Sequence, residues 1–307
     1  MQSRLPRFKR SPDVAPLQLT RRDHKIIRLV CRHRFLRSQQ IAALLCANPQ
    51  PVLRRLHLLY HHNYLERPRA QIDYFHQGGS QSIVYGLGSK GAVLLKREHG
   101  VTLRHLRWGE KNRAVGRIFL QHALLVSEVM VTIELACRRS GRVRLLIDED
   151  LSLGKAIAPK RQSFRWYVKV NSRLRLGVIP DRVFALEYSD ASGASNRAFF
   201  FLEADRGTMP VTRRNLSQTS FYRKLLAYTA TWSQSLHRTR FGFNRFRVLT
   251  VTTSTERVKS LVNACSQLKQ GHGLFLFSDQ ASLVGSSDVF SLSWLTGRIG
   301  KTSHLLD

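Results

Sequence analysis

Apolar residues recur at helical spacing three times near the start of the chain. Ile26, Ile27, Leu29 and Val30 form one stripe, with Thr20 placed as its N-cap. Ile41, Leu44 and Leu45 form a second after Ser38. The third covers about 51–63: Leu53, Leu56, Leu59 and Tyr60 point inward, Arg54, Arg55 and His57 outward, and Pro51 suits the first turn. Gly78-Gly79 then separates two strand-like pieces, a hairpin signal. The polar, basic stretch 96–117 reads as a connector crossing the surface or as a helix lying on DNA. Beyond it the pattern changes. Residues 117–138 are apolar nearly all round, a core helix interrupted by His122, Ser127 and Glu128. Strand-like runs follow at 143–148, 164–170, 178–188 and 197–205, with "SDASGASN" (189–196) as the turn between the last two. A helix at 216–236, a strand at 246–253, a helix at 255–268 and a strand at 274–279 complete the pattern.

This order predicts an α/β (α+β) chain of two domains. Three helices and a hairpin (17–100) are the order of a winged helix-turn-helix, whose third helix enters the major groove while the wing reaches the flanking backbone. Residues 1–16 are expected as a basic flexible arm and 101–116 as the connector. In 117–307, a helix, consecutive strands and then alternating helix and strand describe a mixed sheet flanked by helices.

Charge sharpens the picture. Fifty Lys and Arg against twenty Asp and Glu give a net charge of +30 on 307 residues. Such a surface suits a polyanion, with double-stranded DNA the leading partner. From Arg21 to Arg37 there are seven Lys or Arg and one acid, Asp23. The candidate DNA contacts are Arg21, Arg22, Arg54, Arg55, His57, Arg67 and Arg69. No uninterrupted apolar run approaches the roughly 18–20 residues of a membrane span, and no secretory signal follows the basic N-terminus. Cys31, Cys46, Cys137 and Cys265 are scattered, against a zinc ribbon or disulfide framework and in keeping with a reducing cytoplasm. His61 and His62 are adjacent, so on a helix they project about 100° apart and do not chelate one ion.

The candidate chemistry lies in "FFFLEADRGT", 199–208. In a strand Glu203 and Asp205 share a face, and buried carboxylates need positive charge nearby. A hairpin would bring them beside Asp181 of "IPD", so three carboxylates can converge at one edge. Mg²⁺ or Mn²⁺ takes such oxygen ligands, with Asp181 and Glu203 as the binding pair. The alternative is ion pairing of Glu203 and Asp205 with Arg206 or Arg182.

The arrangement P-D…E-x-D resembles the PD-(D/E)XK nuclease superfamily, whose fold is restriction-endonuclease-like. With "FYRKLLAY" after it, the block is similar to the replication-relaxation family of mobile elements, which is related to C-type mobilisation relaxases. The resemblance implies a winged helix followed by a nuclease-like domain, acting on plasmid DNA at an origin or transfer site in the bacterial cytoplasm. It further implies other transfer or replication proteins as partners, with a homodimer a further candidate. The superfamily's lysine is replaced by Asp205 here. In some members that lysine migrates to a following helix, where Lys224 is the candidate, four residues before Tyr228 on the same helical face. Tyr228, beside it, is a candidate nucleophile. Glu128 stands where the superfamily's first helix supplies a further acid. If the lysine's role is lost, the same fold would serve a non-catalytic regulator.

Overall fold

The computed structural model describes residues 7–72, 82–100, 108–147, 150–151, 164–189 and 193–307. The chain divides into two compact units, 1–131 and 132–307. The boundary falls within the long apolar helix rather than in the expected connector at 101–116.

In the first unit, α1 (Arg21–His33) starts at Thr20, whose side chain accepts the Asp23 N–H while the Asp23 carboxylate accepts the Thr20 N–H at 2.7 Å. This reciprocal cap satisfies two N–H groups the helix leaves open. There follow β1 (Phe35–Arg37), α2 (Ser38–Leu44), α3 (Pro49–His61), β2 (Leu65–Glu66) and β3 (Val84–Leu87). The strands form an antiparallel sheet in the order β1-β3-β2. Helix α3 starts at Pro49, two residues before the expected position, because Asn48 caps it by accepting the Gln50 N–H. The Gly78-Gly79 turn lies outside the described residues. Helices α4 (Ser89–His99) and α5 (Trp108–Arg113) occupy part of the stretch expected as a connector.

Residues 7–16, expected as a flexible arm, are pinned. Arg10 donates to the carbonyl of Tyr60 (2.9 Å) and to Glu66 Oε2 (2.9 Å), and its guanidinium lies over the Tyr60 ring. The Ser11 N–H donates to His61 Nδ1 at 3.0 Å, and His62 Nε2 is 2.9 Å from the Ala15 carbonyl. The buried acid Glu66 is the physical reason: it draws in both Arg10 and Arg113. Accepting the Ser11 N–H requires His61 to be neutral at Nδ1. Burial, with His57 and Arg67 nearby, pushes its pKa from 6.5 down to about 4. The unfolded chain therefore binds a proton at His61 that the fold excludes. Between pH 6.5 and about 4 stability should fall as pH falls, by roughly 2 kcal/mol for this group. Urea unfolding followed against pH should show this slope in the parent and lose it in His61→Gln; an unchanged slope in the variant would refute the assignment.

Helix α6 (Arg117–Ser140) is the core helix read from the sequence, two residues longer than expected. By length and composition it is the one described helix that passes for a membrane span, with a mean hydropathy of 1.6, and half of that stretch is buried. A count of uninterrupted apolar residues misses it because Gln121, His122, Ser127 and Glu128 break the run.

The second unit is built on a seven-stranded mixed sheet. In chain order the remaining elements are β4 (Val143–Ile147), β5 (Trp166–Lys169), β6 (Arg175–Val178), β7 (Arg182–Ser189), β8 (Ser195–Asp205), α7 (Phe221–Ser233) and α8 (Leu236–Phe241). Then come β9 (Phe246–Thr252), α9 (Thr255–Ser266), β10 (Phe275–Asp279), α10 (Gln280–Gly285), β11 (Trp294–Thr296) and β12 (Thr302–Ser303). Strand order in the large sheet is β12-β11-β10-β9-β8-β7-β4, with β8, β9 and β10 parallel and the other pairs antiparallel. Two expected strands behave differently. Among the described residues, the run at 164–170 pairs with β6 alone, as a separate two-stranded ribbon. The run at 178–188 breaks at Pro180, whose missing N–H cannot join a ladder, and resumes at Arg182. The expected helix at 216–236 becomes α7, with the shorter α8 after it.

Strand β8 carries the core. Phe201 is fully buried and stacks its ring among Trp166 (5.2 Å), Tyr228 (5.6 Å) and Phe246 (5.0 Å). That cluster fixes α7 and the ribbon against the end of β8, where the carboxylates lie.

Candidate functional site

The β7–β8 hairpin pairs Arg182 with Leu202, which puts Asp181 beside the next residue of β8. The Asp181 N–H donates to the Leu202 carbonyl at 3.0 Å, and Asp181 Oδ2 accepts the Ala204 N–H at 2.8 Å. Asp181 is thus fastened on both sides of Glu203. Glu203, 1% exposed, is met from α7 by two residues one helical turn apart. Lys224 Nζ lies 2.5 Å from Glu203 Oε2, and the Tyr228 hydroxyl donates to Oε1, also at 2.5 Å.

The electrostatics follow from that geometry. Burial raises the Glu203 pKa, with Asp181 adding repulsion, while Lys224 and Tyr228 pull the other way. Burial alone would lower the Lys224 pKa, but Glu203 and Asp181 outweigh it and hold the amine above its usual value. Tyr228 is pushed well above the ordinary phenol value by burial and by Glu203. It therefore holds its proton and acts as a donor to Glu203. Glu203 thus sits between a second acid, Asp181, and the Lys224 amine.

Asp205 does not join this group. Its carboxylate is clasped by Arg257, with Nε at 2.7 Å from Oδ2 and Nη2 at 3.2 Å from Oδ1, and it also accepts from Thr252 Oγ1 at 3.0 Å. Asp205 is a structural anchor for the start of α9. Its partner is Arg257, not the expected Arg206 or Arg182. Glu128, half-buried on α6, belongs to the first unit. Among the described residues, no three His, Cys, Asp or Glu side chains are grouped to hold a metal ion. What remains as oxygen ligands for a hard cation is the Asp181–Glu203 pair. Two carboxylates fit a Mg²⁺ or Mn²⁺ that completes its shell with water and phosphate oxygens.

The expected DNA contacts divide into two sets. Arg21, Arg22, Arg54 and Arg69 are exposed. Arg21 and Arg22, with Lys25, line an open hollow at the start of α1, facing the α2–α3 turn at Cys46 and Asn48. Lys25, absent from the candidates, shares this hollow because it lies one helical turn after Arg21 and Arg22. Arg55 and Arg67 are spent inside the unit. Arg55 grips the fully buried Asp23 through Nε–Oδ1 (2.9 Å) and Nη2–Oδ2 (2.6 Å), which holds the Asp23 carboxyl below its usual range despite burial. Arg67 is buried, donates to the Tyr85 hydroxyl at 2.9 Å and lies over the Tyr60 ring. His57 is half-buried against Arg67 (3.2 Å) and the His61 ring.

The chain thus combines a helical unit that exposes Arg21, Arg22, Arg54 and Arg69 with a mixed-sheet unit that carries a carboxylate–lysine cluster at the end of β8. The family model for replication-relaxation proteins matches residues 27–244, and the chain belongs to that family. Membership ties it to the replication or relaxation of mobile elements. No curated protein and no solved structure matches the chain.

Proposed function

We propose that the protein binds duplex DNA of a plasmid or other mobile element and nicks one strand with Asp181, Glu203 and Lys224. The first unit supplies the grip. Three helices with a small β1-β3-β2 sheet support a winged helix-turn-helix reading, and Arg21, Arg22, Lys25, Arg54 and Arg69 would be its cations. The second unit supplies the chemistry of a PD-(D/E)XK nuclease. One observation carries this reading. Where the strand has Asp205 instead of the superfamily's lysine, Lys224 reaches the same carboxylate from the following helix.

The residues divide the work as follows. Asp181 and Glu203 would hold Mg²⁺ or Mn²⁺, which when bound polarises a phosphate oxygen and lowers the pKa of a coordinated water. Lys224 offsets the charge that builds on the phosphate during transfer. Tyr228 keeps Glu203 oriented. Supercoiled plasmid carrying the element's origin, incubated with Mg²⁺ or Mn²⁺, should be converted to open circles by the parent. Asp181→Asn and Glu203→Gln should stop this, whereas Tyr228→Phe should retain most of it. Loss in Tyr228→Phe equal to that in Glu203→Gln would restore the tyrosine as nucleophile.

A second reading has its own observation. Glu203 and Tyr228 are each only 1% exposed, and both Glu203 oxygens are taken. A cluster closed in that way suits a DNA-binding regulator of replication or transfer that keeps the nuclease fold without its chemistry. Absence of nicking by the parent with either ion, on DNA that it binds, would select this reading.

A further inference from the structure

The β5–β6 ribbon has two unlike faces. Inward, Trp166, Val168, Leu176 and Val178 are buried, and Trp166 Nε1 donates to Thr231 Oγ1 on α7 at 2.9 Å. The Lys169 carbonyl accepts from Gln234 (2.6 Å) and the Arg165 carbonyl from Arg240 (3.0 Å). The ribbon is therefore a fixed platform rather than a loose hairpin.

Outward, alternation puts Arg165, Tyr167 and Lys169 on one strand opposite Arg175 and Gly177 on the other. Arg165, Lys169, Arg173 and Arg175 are exposed, and residues 164–178 contain no Asp or Glu. Exposed arginines on the neighbouring β4, β7 and β8 surface are treated differently: Arg144 and Arg197 both pair with Glu187. No such carboxylate meets the ribbon's cations among the described residues. At their centre Tyr167 is 51% exposed. Its ring lies across Gly177, where an added Cβ would come within 3.2 Å of Tyr167 Cε1. The Arg175 guanidinium is 5.0 Å from the ring centroid. Side-chain bulk at 177 would lift the ring off the strand.

We infer that the outer face of this ribbon binds single-stranded nucleic acid, stacking one base on Tyr167 while Arg165, Lys169, Arg173 and Arg175 hold the flanking phosphates. Cations alone would fit any polyanion. The half-exposed ring is what selects a single strand, because bases in a duplex are already stacked and have no free face. The ribbon is also mechanically tied to the candidate reaction centre, since Trp166 packs edge-on against Tyr228 (6.1 Å), which donates to Glu203. The inference stands apart from strand cleavage, because a regulator that opens or holds origin DNA would need the same platform.

The test measures fluorescence anisotropy of the full-length protein with a labelled oligothymidylate, its oligouridylate counterpart and a labelled mixed-sequence duplex. Tyr167→Ala should weaken single-strand binding roughly tenfold and leave duplex affinity unchanged. Tyr167→Phe should retain parental affinity, because the ring and not the hydroxyl does the stacking. Joint replacement of Arg165 and Arg175 by Gln should reduce the salt dependence of single-strand binding. The two single-strand probes tell DNA from RNA. Unchanged single-strand affinity in Tyr167→Ala would overturn the inference. An equal loss on duplex and single strand would also overturn it, by showing a general polyanion patch. Neither outcome depends on whether the protein nicks.

Discussion

Lys224→Ala is expected to abolish plasmid nicking, by at least about a hundredfold, with duplex affinity unchanged. The amine lies 2.5 Å from Glu203 and is the positive charge in the cluster with Asp181. Without it, the group loses the amine that would offset the charge of a phosphate in transfer. The substitution also has a structural cost, because it leaves Glu203 buried against Asp181. Partial exposure of the Lys224 side chain, 36%, lets water screen the remainder, so the cost is set at about 2 kcal/mol, below that of a fully buried pair. The two effects are separable. In the variant Glu203 is pushed to a still higher folded pKa, so relative to the parent the loss of stability should be smallest in acid and grow as pH rises above the ordinary glutamate value. A paired replacement, Glu203→Gln with Lys224→Met, should regain the stability without the nicking. Parental nicking by Lys224→Ala would remove the lysine from the reaction, and with it the reading that this amine replaces the superfamily's lysine.

The largest stability effect is expected at Arg257. Arg257→Ala should cost about 3–4 kcal/mol in urea unfolding. Asp205 is 7% exposed and depends on Arg257 for both of its oxygens. Thr252 alone would remain as a donor. The same guanidinium donates to the Met209 carbonyl at 2.6 Å, so the segment after β8 loses an anchor as well. A change below about 1 kcal/mol would place Asp205 in the surface class of ion pairs, where measured contributions are small. The contrast with Lys224 is the point: one pair is expected to act in chemistry and the other only in the fold, although their acids are two residues apart.

That distinction was not legible in the sequence, and the reason is range. Local rules did well. The Thr20 cap, the β7–β8 hairpin and the shared face of Lys224 and Tyr228 all rest on residues a few positions apart, or on strands joined by a short turn. They sufficed to bring Asp181, Glu203 and Lys224 together on paper. The failures are long-range pairings. Arg257 is 52 residues from Asp205, and Arg55 is 32 from Asp23. Arg55 was read as an outward DNA contact, and Arg257 drew no reading at all. Arg67 was misassigned for the same reason, since a basic residue after a helix says nothing about Tyr60 and Tyr85 packing around it. Short strands were lost differently: Phe35–Arg37 is three residues long, too brief for alternation to show.

The fastening of Asp181 to the Ala204 N–H means that this side chain keys the hairpin's alignment. A slip of one residue along β8 would turn Glu203 to the opposite face and bring an apolar neighbour, Leu202 or Ala204, into its place. Alanine scanning at 181 would then confuse two kinds of damage, a missing ligand and a misthreaded strand. Asparagine keeps an acceptor oxygen for the Ala204 N–H and removes only the charge, so a dead Asp181→Asn protein speaks about chemistry where a dead Asp181→Ala protein does not.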